Sequence, residues 1–474
     1  MRPRIQEVET ALTPENLVAR LAHASGVVLL RSGHFENPQA RYSFVTANPF
    51  LTFRSYGSRC EIWNRDERKT YFGNPWHLLD SLMTRFELLD ELDLPFPLGG
   101  CFGFWGYDLK NFVEPKLSQH ALNDLELPDC QVGFYSSLVV FDHRLRRSWI
   151  ISTGLDHEGN RAECKALDEL EFWQIKLEGE AADSPLEGCL PPEIKSSMAR
   201  SEFIQKIQAA QDYIHRGHIY QVNLSHRLSA PWERSGWDLF LRLAQASPAP
   251  FSAYLNCGEF EIASSSPEMF LRMSGRQIFS RPIKGTRPRS ADPTRDAQLS
   301  YELQTSAKET AELVMITDLL RNDLGRVSEF GSIHVPDLLR LEKYPQVQHL
   351  VSTIEGTLRP DVTHFSAFAG AFPGGSITGA PKIRAMQIID ELEPISRGPY
   401  TGALGYLGFN RESQLSITIR TALRKDSMAY FNVGAGIVAD SDPAAEWEET
   451  LAKGKGFAAA LNVAEAIPLL AQST

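Results

Sequence analysis

The sequence predicts an α+β fold in which large antiparallel β-sheets pack against helices. The chain has 474 residues, of which 43% are hydrophobic, so it is long enough to bury a large core. Strand-like runs come in adjacent groups along the chain. Helical patterns separate these groups, which favours antiparallel sheets over a doubly wound parallel sheet.

The first part of the chain, residues 1–185, is predicted to be an N-terminal α+β region rich in strands. Strand-like runs cover residues 26–33, 41–49 and 130–142. Residues 76–92 carry apolar side chains at helical spacing. These short elements follow one another closely, as in an antiparallel sheet with few helices.

The best candidate boundary is the segment 179–197, GEAADSPLEGCLPPEIKSS, where Pro, Gly, Ser and acidic residues replace apolar periodicity. A second domain is predicted over residues 195–474. Its helices are expected at 201–216, from Thr294 to Gly325, and at 382–393 with Pro381 opening the last one. Its strands are expected within 219–228, 259–273, 349–358, 402–410, 415–425 and 429–438.

Charge and composition exclude several classes of protein. The formal net charge of -11 and the pI near 5.6 argue against bulk attraction to nucleic acid or anionic lipid. The six cysteines lack metal-finger spacing, which fits reduced thiols. No signal-like start or long apolar run is present, so we expect a cytoplasmic protein with no membrane contact.

Two acidic helical patterns are candidates for a metal site. Glu309 and Glu312 lie three residues apart, and Glu446, Glu449 and Lys453 follow a similar spacing, so each set faces one side of a helix. Solvated charged faces would explain both sets, although Leu, Val, Met and Ile surround the first pair. If the two helices converge, their carboxylates would suit Mg²⁺, which takes one or two carboxylates, an anionic substrate and water.

Three further features are candidates for binding an anion. The segment 373–382, PGGSITGAPK, places Ser376 among glycines directly before a predicted helix, as in an anion site or an ordinary capped loop. Arg420 is predicted to lie inside a strand, where it meets either solvent or an anion. Gly434 and Gly436 match a dinucleotide fingerprint only weakly, and we interpret them as a close approach of backbone to a ligand.

Four further residues have an ordinary structural explanation when each is considered alone. Gln221 and His349 lie in strand patterns, where a satisfied polar residue is the default, and Glu268 follows a turn. Lys284, in SRPIKGTRPR, reads as a solvated loop lysine.

Taken together, the motifs between Ser264 and Gly456 resemble one family, the chorismate-utilising enzymes. The motifs occur in order and read SSSPEMF, PIKGTR, ETAEL, VQHLVS, PGGSITGAPK, GALGY, ITIRT, GAGIV and WEETLAKGKG. The family includes the large subunits of anthranilate synthase and aminodeoxychorismate synthase, and isochorismate and salicylate synthases. The resemblance covers most of residues 200–460, and LLRSG, RYSFVTANP and GGCFGFWGYD are compatible with it in the N-terminal part. It implies an anthranilate synthase component I-like fold.

The resemblance also implies roles for individual residues. Glu312 and Glu449 would hold Mg²⁺ against the ring carboxylate of chorismate, with Glu309 and Glu446 as nearby partners. Glu268 would be the general acid and base. The implied substrate-binding residues are Gln221, Thr286, His349, Ser376, Tyr400, Arg420, Gly434, Gly436 and Lys453.

Two positions divide the family by reaction. Members that add water to the ring carry a lysine base where this chain has Gln221, so water addition is disfavoured. Anthranilate synthases read PIAGT where this chain reads PIKGT, as aminodeoxychorismate synthases do. The resemblance therefore implies that Lys284 attacks ring carbon 2, and that ammonia replaces the C4 hydroxyl to give 4-amino-4-deoxychorismate, a step of folate biosynthesis.

The sequence also predicts a partner subunit and leaves alternative functions open. No segment resembles a glutaminase, so ammonia is expected from a separate glutamine amidotransferase subunit. The alternatives are an anthranilate synthase large subunit and a non-catalytic tryptophan binder; a metal-dependent hydrolase is disfavoured because the chain lacks a His-rich metal site. Some relatives hold tryptophan in a pocket whose matching residues here are Ser32, Arg41, Tyr42, Pro250 and Phe251.

Overall fold

The structure is a computed structural model that describes residues 2–32, 40–64, 67–89, 94–179, 188, 190–344 and 347–462. Residues 180–187 and 189 of the predicted linker lie outside the described residues. Within them, no helix is long and apolar enough to cross a bilayer.

The described residues form short and medium-length strands. In chain order these are β1 (Arg4–Val8), β2 (Val28–Arg31), β3 (Tyr42–Thr46), β4 (Leu51–Tyr56), β5 (Arg59–Trp63), β6 (Arg68–Phe72), β7 (Gly100–Trp105), β8 (Cys130–Tyr135), β9 (Ser137–Asp142), β10 (Arg147–Ser152), β11 (Lys195–Ser196), β12 (Gln221–Pro231), β13 (Phe251–Asn256), β14 (Phe260–Ser266), β15 (Met269–Ser274), β16 (Gln277–Arg281), β17 (Ile283–Pro288), β18 (His334–Lys343), β19 (Val347–Thr357), β20 (Gly379–Ala380), β21 (Ala403–Gly408), β22 (Glu412–Ile417), β23 (Thr421–Lys425) and β24 (Met428–Ile437).

Helices are interspersed between the groups of strands. They are α1 (Pro14–Ala19), α2 (Pro75–Phe86), α3 (Lys110–Val113), α4 (Glu163–Leu177), α5 (Arg200–His215), α6 (Gly236–Ala246), α7 (Pro293–Gln304), α8 (Ala307–Gly325), α9 (His364–Ala371), α10 (Lys382–Leu392) and α11 (Pro443–Ala460).

The strands form two large antiparallel sheets. The first sheet has the order β1-β10-β9-β3-β2-β13-β14-β23-β24-β12-β11, and β20 also pairs with β12. The second has the order β17-β19-β16-β15-β22-β21-β7-β8-β4-β5-β6, and β18 also pairs with β19. Strands from before and after the predicted linker share both sheets, through β2 with β13 and β7 with β21. The division into two domains stays a prediction.

The sheets pack face to face and helices cover their outer faces. One buried cluster contains apolar side chains of both sheets, and Phe44 of the first sheet meets Tyr406 of the second with ring centroids 5.2 Å apart. A second cluster joins the other face of the second sheet to α2, α8 and α9. A third joins the first sheet to α1, α4, α6 and α11. The predicted α+β class is confirmed.

Two helices that matter for the site begin at capped positions. The Ser306 hydroxyl accepts the backbone N–H of Glu309 at 3.4 Å, and the Asp442 carboxylate accepts that of Ala445 at 2.7 Å. Glu309 and Glu446 therefore lie in the first turns of α8 and α11, where the helix dipole favours negative charge.

The chain passes from one sheet to the other at two adjacent places. Ser266 ends β14 of the first sheet and Met269 begins β15 of the second. Ile417 ends β22 of the second sheet and Thr421 begins β23 of the first. The Ser266 hydroxyl donates to the Ile417 carbonyl oxygen at 2.6 Å and ties the two crossings together.

The prediction that Arg420 lies inside a strand is wrong. Arg420 lies in the second crossing, with a backbone φ of 52°. This left-handed conformation is uncommon for a residue with a side chain, and it interrupts what reads as one continuous strand in the sequence. The helical segment from Thr294 is likewise two helices, because Ser306 caps a new one.

Candidate active site

A cavity of about 670 Å³ opens beside the two crossings. Its walls come from β12 and β24 of the first sheet, β17 and β19 of the second, the crossings themselves, and helices α8 and α11. Most of the predicted site residues line it, namely Glu268, Lys284, Thr286, Glu309, Glu312, His349, Ser376, Tyr400, Arg420, Gly434, Gly436, Glu449 and Lys453.

Lys284 lines the cavity next to a bulge in β17. Lys284 pairs with Leu350 of β19, and Thr286 pairs with the adjacent His349, so Gly285 is the extra residue. Gly285 has a φ of 64°, and a Cβ there would lie 2.5 Å from a methyl group of Leu303. The glycine of PIKGT is therefore required by backbone geometry. Lys284 and Thr286, on either side of the bulge, both line the cavity.

Glu268 lies in the first crossing and is 7% exposed. Burial raises the pKa of its carboxyl to about 7, although a hydrogen bond with Ser376 and the charge of Lys284 act to lower it. A carboxyl with this pKa exists in both protonation states near neutral pH. It can both donate and accept a proton there.

His349 faces Thr286 across the β17 and β19 pair. Nδ1 of His349 is 3.0 Å from the Thr286 hydroxyl and 3.3 Å from the carbonyl oxygen of Gly285. These contacts hold the ring at the cavity wall, next to the bulge that carries Lys284.

The acidic side chains of α8 and α11 meet beside this lysine. Nζ of Lys284 is 3.6 Å from Oε2 of Glu312. Burial pushes the pKa of Glu449 upward, but the charges of Lys453, Lys308 and Lys284 outweigh it and lower that pKa. Since the charge of Lys284 acts on both carboxylates, Glu312 and Glu449 flank one point of the cavity.

The carboxylates at the cavity could serve only a metal ion that takes few ligands from the protein. In the described part of the chain, no group of three or more His, Cys, Asp or Glu side chains is placed to hold a metal. Mg²⁺ needs only one or two protein carboxylates when substrate and water complete its shell. Glu312 and Glu449 supply two hard oxygen donors, and a lysine ammonium now lies against each of them.

Another part of the cavity wall is suited to a carboxylate. Arg420 is partly buried and makes no ion pair or side-chain hydrogen bond within the described residues, and burial lowers the pKa of its guanidinium. Burial also raises the pKa of Tyr400 to about 12, so its hydroxyl remains a donor at neutral pH. A cation without a counterion and a neutral donor together form a binding site for an anion.

The two glycines of β24 allow close approach to its backbone. A Cβ on Gly434 would lie 2.6 Å from the Leu224 carbonyl oxygen, and one on Gly436 would lie 2.4 Å from Nε2 of Gln221. Gln221 is buried and lies behind Gly436, outside the lining of the cavity. Nε2 of Gln221 has no hydrogen-bond partner within the described residues.

The segment PGGSITGAPK does not lead straight into a helix. A 3₁₀ turn (Gly375–Ile377) and strand β20 come first, and Pro381 is the N-cap of α10. Gly379 pairs with Val222 of β12, and this pairing separates the turn from α10. No residue of α10 is among those that line the cavity in the described part of the chain, whereas Ser376 lines it and contacts Glu268.

Buried ion pairs stabilise the wall of the cavity that contains Ser376 and Arg397. Lys382 pairs with Asp323 of α8 at 2.8 Å and donates to the carbonyl oxygens of Ala371 and Pro373. Arg397, which is 4% exposed, donates to Glu393 at 2.7 Å.

Sequence reasoning missed several lining residues, among them Asn223, Arg287, Lys308, Arg397 and Lys455. Arg397 donates to the carbonyl oxygens of Asn223 and Ile377 and so joins two walls. Its spacing of four residues from Glu393 resembles an ordinary surface ion pair, so the sequence carries no signal of its burial. Lys308 could have been found, because it directly precedes Glu309.

Glu446 lies outside the lining of the cavity. It accepts a hydrogen bond from Ser441 at 2.7 Å, and burial raises its pKa. Lys308 of α8 lies 3.6 Å from it.

A second, smaller cavity coincides with the predicted tryptophan pocket. It holds about 40 Å³ and is lined in part by Ser32, Tyr42, Pro250 and Phe251. Arg41 is not part of its lining, and its Nε donates to Asp142 at 3.0 Å. Pro250 lines both cavities.

Two packed antiparallel sheets with a cavity between acidic helices define the anthranilate synthase component I-like fold. The crystal structure of anthranilate synthase component I from Streptococcus pneumoniae TIGR4 superimposes with a TM-score of 0.78 at 29% identity, covering 88% of this chain and 92% of that one. The profile described as chorismate binding enzyme matches residues 34–459. The chain belongs to this family and is a chorismate-utilising enzyme.

Relatives of two kinds are similar over nearly the whole length. Aminodeoxychorismate synthase component 1 from Escherichia coli (strain K12) is 40% identical over 439 residues, which are 92% of this chain and 93% of that protein. Anthranilate synthase component 1 from Acetivibrio thermocellus is 37% identical over 462 residues, which are 95% of this chain and 93% of that protein. Overall identity therefore does not separate the two reactions.

Proposed function

We propose that this enzyme converts chorismate and ammonia to 4-amino-4-deoxychorismate. The observation that carries the proposal is the position of Lys284. It projects from the β17 bulge into the cavity, 3.6 Å from Glu312 and close enough to lower the pKa of Glu268. A nucleophile next to a proton donor is what replacement of a ring hydroxyl by an amine requires.

Chorismate would lie between the two charged sides of the cavity. Arg420, Tyr400 and the backbone at Gly434 and Gly436 would bind the carboxylate of the enolpyruvyl group. Glu312 and Glu449 would hold Mg²⁺ at the ring carboxylate, where the metal supplies electrostatic stabilisation when it is bound. Chorismate thus uses both Arg420, which has no ion pair in the part of the chain that the structure describes, and a pair of glutamates.

The first half of the reaction forms a covalent adduct. Lys284 would release its ammonium proton to solvent once Mg²⁺ occupies Glu312. Its neutral amine then attacks ring carbon 2, both ring double bonds shift by one position, and the bond from C4 to oxygen breaks. Glu268 gives its proton to the departing hydroxyl, which leaves as water. At this stage Glu268 is a carboxylate, and it lies beside the ring that is covalently bound to Lys284.

The second half regenerates the enzyme. Ammonia attacks C4, both ring double bonds shift back, and the bond between C2 and the lysine nitrogen breaks. Glu268 accepts a proton from the incoming amine, and Lys284 leaves as a free amine. The sum is chorismate plus ammonia giving 4-amino-4-deoxychorismate and water.

The source of ammonia would be a glutamine amidotransferase subunit. The relatives from Escherichia coli and Acetivibrio thermocellus are both called component 1, which supports a partner. We place the enzyme in para-aminobenzoate and folate biosynthesis in the cytoplasm. The five cysteines of the described residues are free thiols, which suits that reducing compartment.

Anthranilate synthesis is the second candidate, because anthranilate synthases are 37% identical to this chain. The two reactions differ in their products. Incubation with chorismate, Mg²⁺ and ammonium should give a product with the mass and ultraviolet spectrum of 4-amino-4-deoxychorismate. Release of pyruvate together with anthranilate would establish the second candidate, and no loss of chorismate would contradict both.

A further inference from the structure

The four carboxylates predicted at the metal site, those of Glu309, Glu312, Glu446 and Glu449, are each paired with one basic side chain of this chain. The pairs are Lys284 with Glu312 at 3.6 Å, Arg287 with Glu309 at 3.6 Å, Lys308 with Glu446 at 3.6 Å, and Lys453 with Glu449 at 2.7 Å. The carboxylates are therefore neutralised one by one within the protein. A metal ion that binds to these carboxylates would therefore lie close to the basic side chains that are already paired with them.

Lys308 is in the most central position of the four. It directly precedes Glu309, lies one helical turn before Glu312 on α8, and reaches across to Glu446 of α11. Burial lowers its pKa, but the charges of Glu446, Glu312, Glu449 and Glu309 outweigh burial and raise it. Its ammonium group thus experiences the field of both helices.

The position of Lys308 is unfavourable for the helix itself. It occupies the first turn of α8, where the positive end of the helix dipole repels a cation. Its side chain is 53% exposed, so the long stem can swing into solvent. Lys308 therefore lies where the helix dipole disfavours it, and its side chain can move into solvent. Its position is better explained by its interaction with the four carboxylates than by a contribution to the stability of α8.

We propose that Lys308 is an internal counterion that neutralises the acidic cluster in the metal-free enzyme and competes with Mg²⁺. This inference rests on the metal site of the proposed function. Two cations near one set of carboxylates repel each other, so removal of one strengthens binding of the other. Lys308 therefore weakens the binding of free Mg²⁺.

The test is calorimetric titration of Mg²⁺ into the whole chain without chorismate. Lys308→Met should bind Mg²⁺ about 5-fold or more tightly than wild type, the lower range of ordinary coupling between two sites. Lys308→Arg keeps the charge and should match wild type. Lys455→Met is the matched control, because Lys455 lines the same cavity and has no ion pair within the described residues. It should change the affinity by less than about 2-fold.

Thermal melting gives a second readout that does not depend on calorimetric heats. Without Mg²⁺, Lys308→Met should melt below wild type, because Glu446 is buried and loses its counterion. Saturating Mg²⁺ should raise its melting temperature by more than that of wild type.

Three results would overturn the inference: unchanged or weaker Mg²⁺ binding by Lys308→Met, an equal gain in Lys455→Met, or no Mg²⁺ binding by any of the proteins. Failure of the proposed amination would instead appear in the product assay with chorismate, which this titration does not contain.

Discussion

The protonation state of Glu268 decides when the first half of the reaction can run. Glu268 must carry a proton to donate it, and burial raises its pKa to about 7. The proton-bearing form is lost as pH rises through that value. We therefore expect the rate of adduct formation, measured by quenched flow and intact mass without ammonia, to fall above about pH 7.

Glu268→Gln keeps the shape of the side chain and removes the proton donor. Its rate of adduct formation should be about 10² to 10⁴-fold lower than that of wild type. The residual rate should no longer fall through pH 7. A variant that keeps both the rate and the pH dependence of wild type would contradict the role of Glu268.

At the scale of the element, Lys284 lies next to the bulge that Gly285 forms in β17. Gly285→Ala introduces a Cβ 2.5 Å from Leu303 and adds strain at a φ of 64°. We expect β17 to shift and kcat/KM for chorismate to fall by about 10-fold or more, because small displacements of a nucleophile are costly.

Gly275→Ala is a matched control for this substitution. Gly275 has a φ of 53°, and a Cβ added there would meet no heavy atom within 4 Å, so this variant bears the strain without the collision. Each variant should lose about 1–3 kcal/mol of unfolding free energy through backbone strain. Equal kinetics in the two variants, measured with chorismate and ammonium, would contradict the role of the bulge.

The sequence predicted the elements well and their junctions poorly. Amphipathic helices such as α5 and α10 have period and caps that are local properties, so they were found within a residue or two. Arg420 was assigned to a strand because SITIRTAL alternates without a break. The left-handed residue between β22 and β23 follows from packing of two sheets, which leaves no mark in local pattern.

The candidate site was predictable where side chains act through spacing along a helix. Glu309, Glu312 and Glu449 were found in this way, and they line one cavity. The burial of Arg397 was not predictable, because it depends on β12 and on a turn that are distant in sequence. The pairing of Lys453 with Glu449 is visible in the sequence, because the two lie four residues apart on α11. Lys284 and Arg287 come from β17, and Lys308 reaches from α8 to α11, so their pairings appear only in the folded chain.

At the scale of the whole molecule, the two sheets make the parts of the chain interdependent. A fragment of residues 190–474 would lose the pairing of β13 with β2 and of β21 with β7. Each loss exposes a strand edge and an apolar face of the shared core. We expect this fragment to aggregate or to lack a cooperative thermal transition by circular dichroism, whereas the full chain should show one. A fragment that melts cooperatively would show that it is an independent domain.

The measurement that tests the account most directly is the intact mass of the protein after incubation with chorismate and Mg²⁺ without ammonia. Wild type should gain the mass of chorismate less one water, and peptide mapping should place the gain on Lys284. Lys284→Ala should gain nothing, while Lys455→Ala, altered in the same cavity, should behave as wild type. An adduct that still forms in Lys284→Ala would contradict the account.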